Sequence, residues 1–391
     1  MKRSKLTLAV SCAVMAALIA VGCGSSDDSS GGSDSGGKLK VAYAGAGEQS
    51  SHWLLLKKSI EEAADVAGVD LSYYNNDLDA TTAVSNARLI AQEKPDVVLS
   101  YNGVESASTA VEKQFADAGI PCVAVNAPGN GGCDWFNFSN EKLCTDVGTV
   151  IGKEAAKRGW NGDNTSVILV NAPAFGEVVN SGIGYFYTGL QKEVPGIDTI
   201  DSPEDIELTT TKIGDNTFQV DGQVQAAASF DAVNAVLQQI PKDRNIILYA
   251  LDTDSTVGAW RAIEKSGRAS TTLTGGLGGY PNGLKNLREN DSWVVEGDTF
   301  MGNWGPYLIA MATAIHDGVK PPAQTTAPEA ALTKDLSVKN TLIDPIDKFY
   351  APGAVTPKLL PKLEPVVDGV GNSYLKETGI LQKFNIVDGL K

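Results

Sequence analysis

Two carboxylates stand two residues apart in Leu251-Asp252-Thr253-Asp254, at the end of an apolar run and just before Ser255-Thr256. A carboxyl pair can share acid and base duties in breaking a glycosidic bond. The same residues can instead bind hydroxyls while one of them caps the helix that follows. Hydroxyl binding with capping is the simpler account, since no other catalytic pattern accompanies the pair. His52 and Trp53 are the second constellation, placed where a strand hands over to a helix. A large aromatic at such a loop is a candidate contact for a ligand, although Trp53 as core and His52 as a solvated helix start remain open.

Other chemistries fail on residue types. The chain has two histidines, His52 and His316, so a Ser-His-Asp or histidine-metal site would have to use one of them. Gly45-Ala46-Gly47 follows a strand, but Ser50 stands where a dinucleotide fingerprint needs its third glycine. There is no phosphate-binding GxxxxGK[ST], no GxSxG and no CxxC. No cofactor and no metal is expected.

The five cysteines divide by position. Cys12 lies in an apolar N-terminal run and Cys23 at its end. Cys122 sits in the apolar stretch Ile120 to Val125 and reads as a buried small side chain. Cys133 and Cys144 flank Asp134 to Leu143, read as a loop. A Cys133–Cys144 disulfide is expected, because exported proteins tolerate such bonds.

Export is read from the first forty residues. Lys2, Arg3 and Lys5 precede an uncharged apolar run from Leu6 to Val21, ending in Ala20-Val21-Gly22-Cys23. A basic opening, a short apolar segment and small residues before a cut describe a secretory signal. Small residues directly before a cysteine resemble a bacterial lipobox, which implies a signal peptide over 1–22, acylation of Cys23 and a Gly/Ser tether over 23–37. The expected location is outside the cytoplasmic membrane, held by lipid alone. Formal charge is −15, and −18 once the three cations of 1–22 are removed. Such a balance argues against nucleic acid or an anionic membrane surface as partner.

The elements that position these residues alternate. Lys38 to Ala44 reads as a strand, Trp53 to Ala67 as a helix, Val69 to Tyr74 as a strand and Thr81 to Glu93 as a helix. Pro95 to Ser100, Ser106 to Ala118 and Cys122 to Asn126 continue strand, helix, strand. The pattern restarts with a helix over Asp146 to Arg158, a strand over Ser166 to Asn171 and a helix over Val179 to Lys192. A short strand is expected near Thr199 to Ser202, then a helix over Gln223 to Gln239. A strand over Asn245 to Ala250 and a helix over Thr256 to Gly267 follow. Leu273 to Gly275 and Trp293 to Val295 read as strands, and Tyr307 to His316 as a helix. Alternation with short connections builds right-handed βαβ units, so the fold class is α/β. Two successive open sheets suggest two lobes facing a cleft, with ligands beyond the carboxyl ends of the strands.

Several landmarks together resemble the periplasmic sugar-binding proteins of the ribose-binding type, the solute receptors of ABC importers. They are His52-Trp53, Lys57-Lys58, Glu61 to Ala64 with Gly68, then Ala118-Gly119-Ile120-Pro121, and Tyr249 to Asp254 followed by Gly258-Ala259, Ala262-Ile263 and Gly267. The likeness covers about 39–322. It implies two Rossmann-like lobes joined by crossover hinge strands, the type I periplasmic binding protein fold. The first lobe is expected over 38–140 and 299–335, the second over 141–298, with 336–391 an extension of uncertain placement.

Carried onto this sequence, the resemblance places ligand contacts at Ser50, His52, Trp53, Asn126, Asp231, Asp252, Thr253, Asp254 and Asp298. Gln49 lies beside the first of these, and a one-residue slip would put Thr299 in the place of Asp298. The chain departs where the family has arginines, at Ala127 and around Asn180-Ser181, and where it has an aspartate, at Gly275 to Gly279. Trp135 and Phe136 are either replacement contacts or a small packing cluster. The implied function is an extracytoplasmic solute-binding lipoprotein that captures a small polar ligand, a sugar or polyol, by hinge closure. It would deliver that ligand to ABC permease subunits as a monomer, without turnover. A sensor for a chemoreceptor or kinase is the alternative use of the same fold, and an exported glycoside hydrolase the alternative from another class.

Overall fold

The computed structural model describes residues 37–334, 343–361, 363 and 372–386. Cys12, Cys23 and the signal and tether segments around them lie outside the described residues. Lys38 to Lys391 forms one compact unit. Among the described residues no helix is long and apolar enough to cross a membrane.

The first lobe is built on β1 (Lys40–Gly45), α1 (Ser51–Ala67), β2 (Asp70–Asn75), α2 (Ala80–Glu93), β3 (Val97–Ser100), α3 (Ser108–Ala118), β4 (Cys122–Val125) and β5 (Asp134–Asn137). Apolar residues on consecutive positions of β1 serve both faces of the sheet, as the two-residue period of a strand requires. Val41 and Tyr43 pack towards Leu56 and Ile60 of α1, while Ala42 and Ala44 pack towards Ala83 of α2 and Phe115 of α3. α1 stops at Gly68, whose φ of 78° lets its N–H reach the carbonyls of Ala64 and Asp65.

The second lobe follows with α4 (Asn140–Lys157), β6 (Thr165–Asn171), α5 (Gly176–Gln191), β7 (Lys212–Ile213), β8 (Thr217–Asp221), α6 (Ala226–Leu237), β9 (Asn245–Ala250), α7 (Thr253–Lys265), β10 (Thr272–Gly278), α8 (Pro281–Glu289) and β11 (Trp293–Asp298). The chain then returns through α9 (Gly305–His316) and β12 (Gln324–Thr326) to the first lobe, and passes back again into β13 (Ala330–Thr333). The sheet orders are β12-β5-β4-β3-β1-β2 and β14-β13-β11-β10-β9-β6-β8-β7, where β14 is Ile343–Pro345. All pairs are parallel except β11 with β13 and β7 with β8.

Several expectations shift here. β13 pairs antiparallel with β11 and buries Ala330, Ala331 and Leu332, so residues 330–333 belong to the second sheet rather than to a first lobe running to 335. Asp134 to Leu143 is not one loop: β5 joins the first sheet, and Ser139 caps α4, its hydroxyl accepting from Lys142 N at 3.3 Å. No strand forms near Thr199 to Ser202, and β8, with Phe218 and Val220 on one face, takes that place in the sheet. The described extension touches both lobes. β14 and α10 (Ile346–Phe349) cover the second, while α11 (Ser373–Glu377) and α12 (Ile380–Lys383) pack on α9 of the first.

The expected Cys133–Cys144 disulfide is replaced by Cys122–Cys133, with Cα atoms 4.8 Å apart. It closes the connection from β4 to β5. Cys144 is a free, buried thiol on α4, accepting from the Tyr249 hydroxyl at 3.3 Å. The reason is rotational: α4 begins at Asn140 and turns Cys144 towards the second-lobe sheet, away from Cys133.

Candidate functional site

The carboxyl ends of both sheets meet at one cleft. Its walls include His52, Tyr101, Asn126, Asn137, Phe175, Leu251, Asp252, Tyr280 and Thr299, and the cavity between them holds about 50 Å³. That is room for a few waters, so protein groups fill most of the cleft in this conformation.

On the first-lobe side, the turn after β1 delivers Ser50, His52 and Trp53. Gly47 makes this possible, because a Cβ there would lie 3.0 Å from the Trp53 ring. His52 and Trp53 are both buried. The Ser50 hydroxyl lies 2.7 Å from His52 Nδ1, and Tyr101 OH lies 3.5 Å from Nε2. Asn126 takes a left-handed backbone, φ 60°, at the end of β4, and its amide donates to Tyr101 OH. Burial pushes His52 down to about 4, against the opposing pull of Asp254, and pushes Tyr101 up to about 12.

On the second-lobe side, Asp252 caps α7, its Oδ1 accepting from Ser255 N at 2.8 Å. Burial raises its carboxyl to about 6, against the capping bonds. Asp254, two residues on, faces the other lobe. Its Oδ2 accepts from Ser50 Oγ at 3.0 Å, Ser51 N at 3.1 Å and Ser51 Oγ at 2.7 Å. A carboxylate at the N-terminus of α1 also meets the favourable end of that helix dipole. Two aromatic contacts span the same gap: Tyr280 stacks on His52 at 5.3 Å and 6°, and Phe175 lies over Trp53 at 6.3 Å and 29°.

The remaining expected contacts are placed elsewhere. Thr253 is buried beneath the cleft floor, its hydroxyl 3.0 Å from Leu277 O and 2.6 Å from Glu296 Oε1. Asp298 Oδ1 accepts from Phe300 N at 2.7 Å, and its Oδ2 accepts from Tyr350 OH, which leaves Thr299 as the crossover residue on the cleft wall. Asp231 lies on the exposed side of α6 and does not join the cleft. Gln49 is exposed and donates to Asp77 Oδ1. Trp135 donates its indole N–H to Asn126 O at 3.0 Å, and Phe136 packs edge-on to Trp304, so both side chains belong to packing. At the positions lacking arginines, Asn180 staples the turn before α5 through Ala172 and Gly176.

Three features escaped sequence reasoning. Glu296 is wholly buried, accepting from Trp293 Nε1 at 3.0 Å and Gly279 N at 3.1 Å and sharing a hydrogen bond with the Thr253 hydroxyl, and burial lifts it to about 8. The glycine run makes its room: a Cβ on Gly276 would lie 2.1 Å from Glu296 Oε2. Asn137 is 2% exposed, lines the cleft, and its Oδ1 has no hydrogen-bond partner. Val224, also on the wall, has φ 54°, a conformation that costs a β-branched residue about 1–3 kcal/mol. Among the described residues no group of three or more His, Cys, Asp or Glu side chains gathers as a metal would need.

Residues 41–318 match the model of the periplasmic binding protein domain. The chain belongs to the periplasmic binding protein family. None of the curated proteins matches this binding protein by sequence. Among solved structures, it is similar to an ABC transporter solute binding protein from Mycobacterium smegmatis with bound glycerol, at 18% identity and TM-score 0.60, covering 75% of this chain and 94% of that one. A periplasmic solute binding protein from Actinobacillus succinogenes with bound D-allose gives 14% identity and TM-score 0.63, over 76% and 98%. A 5-methylthioribose transporter solute binding protein from Thermotoga lettingae gives 17% and 0.60, over 76% and 87%. These likenesses describe a shared type I fold, with two α/β lobes about a cleft. The family is one of extracytoplasmic binding proteins.

Proposed function

We propose that this chain is a lipid-anchored receptor that captures a small sugar or polyol between its lobes and passes it to an ABC permease. The observation that carries this reading is the pairing of rings from opposite lobes, His52 with Tyr280 and Trp53 with Phe175, at a cleft whose lining also holds Asn137 with its side-chain Oδ1 unpartnered. Aromatic faces suit the C–H face of a sugar ring, and planar polar groups suit its hydroxyls. Solved relatives with glycerol, D-allose and 5-methylthioribose support the ligand class and the transport context. Opening would separate the paired rings, and ligand held by both lobes would favour reclosure.

Binding without turnover is the reading the carboxylates favour. Asp252 is occupied as a helix cap and Asp254 in the contact to Ser50 and Ser51, so neither stands free as half of an acid/base pair. The test is a melting curve of residues 38–391 against pentoses, hexoses, polyols, nucleosides and amino acids. A ligand that binds only the folded form raises the melting temperature by mass action. A shift with a sugar or polyol and no consumption of it supports the proposal; shifts with nucleosides or amino acids alone would refute it.

A further inference from the structure

The cleft holds a polar group that the protein itself leaves unanswered. Asn137 is the last residue of β5, at the carboxyl end of the first sheet, where open α/β sheets take their ligands. Its backbone is pinned, because Asn137 O accepts from Ala327 N at 2.8 Å and β5 lies between β4 and β12. Three residues later the chain has entered α4 of the second lobe, so Asn137 stands where a crossover leaves the first sheet. Its side chain is 2% exposed and lines the cavity, and its Oδ1 has no hydrogen-bond partner.

Donors on the same wall are engaged elsewhere. The Asn126 amide donates to Tyr101 OH, the Asn140 amide to Val178 O at 2.8 Å, and the Thr299 hydroxyl to Gly278 O at 3.2 Å. Among the described residues the cavity lining has no lysine and no arginine to supply the missing hydrogen. A buried carbonyl without a donor is less favourable than an apolar side chain of the same shape, so packing alone gives no reason for an asparagine here. The cavity beside it has room for water, which a ligand hydroxyl would displace while keeping the hydrogen bond.

We propose that Asn137 is a specificity-determining contact for the ligand, its Oδ1 accepting a hydroxyl hydrogen at the crossover end of the cleft. This rests on reading the cleft as a sugar or polyol site and names a residue that reads one of the ligand's hydroxyls. A ligand lacking that hydroxyl would leave Oδ1 buried without a donor, and a site built around a polar group rejects such an analogue more strongly than an apolar pocket rejects a misfit.

Titration calorimetry of residues 38–391 with D-ribose, D-allose, D-galactose, glycerol and myo-inositol identifies the tightest probe. Asn137→Leu, which keeps the size and removes the acceptor, is expected to weaken that probe at least fivefold while leaving the melting temperature of the free protein unchanged or higher. Asn137→Ala, which leaves space instead of bulk, is expected to weaken it likewise. Monodeoxy analogues of the probe complete a cycle: one of them should lose at least fivefold on the native protein and show no such loss on Asn137→Leu. A smaller loss in both variants would overturn the assignment and leave the sugar-receptor reading standing. The same would follow if every monodeoxy analogue kept its native ratio to the parent in Asn137→Leu, because Asn137 would then shape the cleft without touching a hydroxyl. Failure of both variants to fold would make Asn137 structural and overturn the assignment too. No binding of any of the five probes by the native protein would refute both readings.

Discussion

The carboxylate of Asp254 reaches across the cleft to Ser51, accepting from its backbone N–H at 3.1 Å and its hydroxyl at 2.7 Å. With Ser50 it makes three bonds between residues about 200 positions apart, the first turn of α7 held to the first turn of α1. Such a contact exists only when the lobes are together, so it stabilises the closed state before any ligand contact is counted.

Asp254→Ala is therefore expected to shift the free protein towards open forms, seen as a larger radius of gyration by small-angle scattering. Hydrogen bonds to a charged group contribute about 1.5–3 kcal/mol each at most, and partial exposure reduces this. A net loss of about 1 kcal/mol corresponds to ligand affinity weakened roughly five-fold. An unchanged radius together with unchanged affinity would remove the latch.

Trp53 is a more entangled target than its place at a strand-to-helix loop suggests. It is 2% exposed and belongs to the core around α1, besides facing Phe175. Trp53→Ala is expected to cost about 3–5 kcal/mol of stability, visible as a lower melting temperature without ligand, as well as at least tenfold in affinity. Retained affinity would dismiss Trp53 as a ligand contact.

The disulfide assignment has a direct chemical check. Residues 38–391 hold three cysteines, and the Cys122–Cys133 bond leaves Cys144 as the single thiol. Non-reducing peptide mapping should recover a 122–133 cross-link, and one thiol per chain should titrate after denaturation. Closing an 11-residue separation is worth about 2–4 kcal/mol. The double variant Cys122→Ala/Cys133→Ala should lose stability by about that amount. A 133–144 peptide would overturn the assignment.

How far these features were legible follows from their range. Strands such as Asn245–Ala250 are short apolar runs beside helical patterns, so the α/β alternation is written locally. The cleft is not local. Asn126 and Asp252 could be placed by strand ends, but Asp254 meeting Ser51, and Tyr280 meeting His52, depend on how two lobes close. Asp231 sits in an ordinary helix, and nothing in its neighbours shows which side faces solvent. Glu296 reads as a surface acid in Val295-Glu296-Gly297, and only the space left by Gly276 and Gly283 makes its burial possible. The cysteine pairing turned on Asp134–Asn137 being a strand, a four-residue element too short to carry a period.

Buried acids give the protein a pH signature whose sign can be worked out. Burial raises Glu296 to about 8 and Asp298 to about 7, both above their unfolded values. The folded state then holds protons that the unfolded state releases, so each contributes stability that is full below the unfolded value and lost as pH rises through the folded one. His52 acts oppositely, being lowered to about 4, so its contribution grows between about 4 and 6.5 and is constant above that. Above pH 6.5 His52 no longer opposes the acids, and melting temperature should fall between pH 6.5 and 8.5. Thr253 gives the proton a location: its hydroxyl has one hydrogen for both Leu277 O and Glu296 Oε1, and a neutral Glu296 supplies the second. Glu296→Gln imitates the protonated acid at every pH. It should melt near the native protein at pH 5 and above it at pH 8.5, with a flatter slope between. A native melting temperature that is constant or rises from pH 6.5 to 8.5 would mean that Glu296 is ionised in the fold.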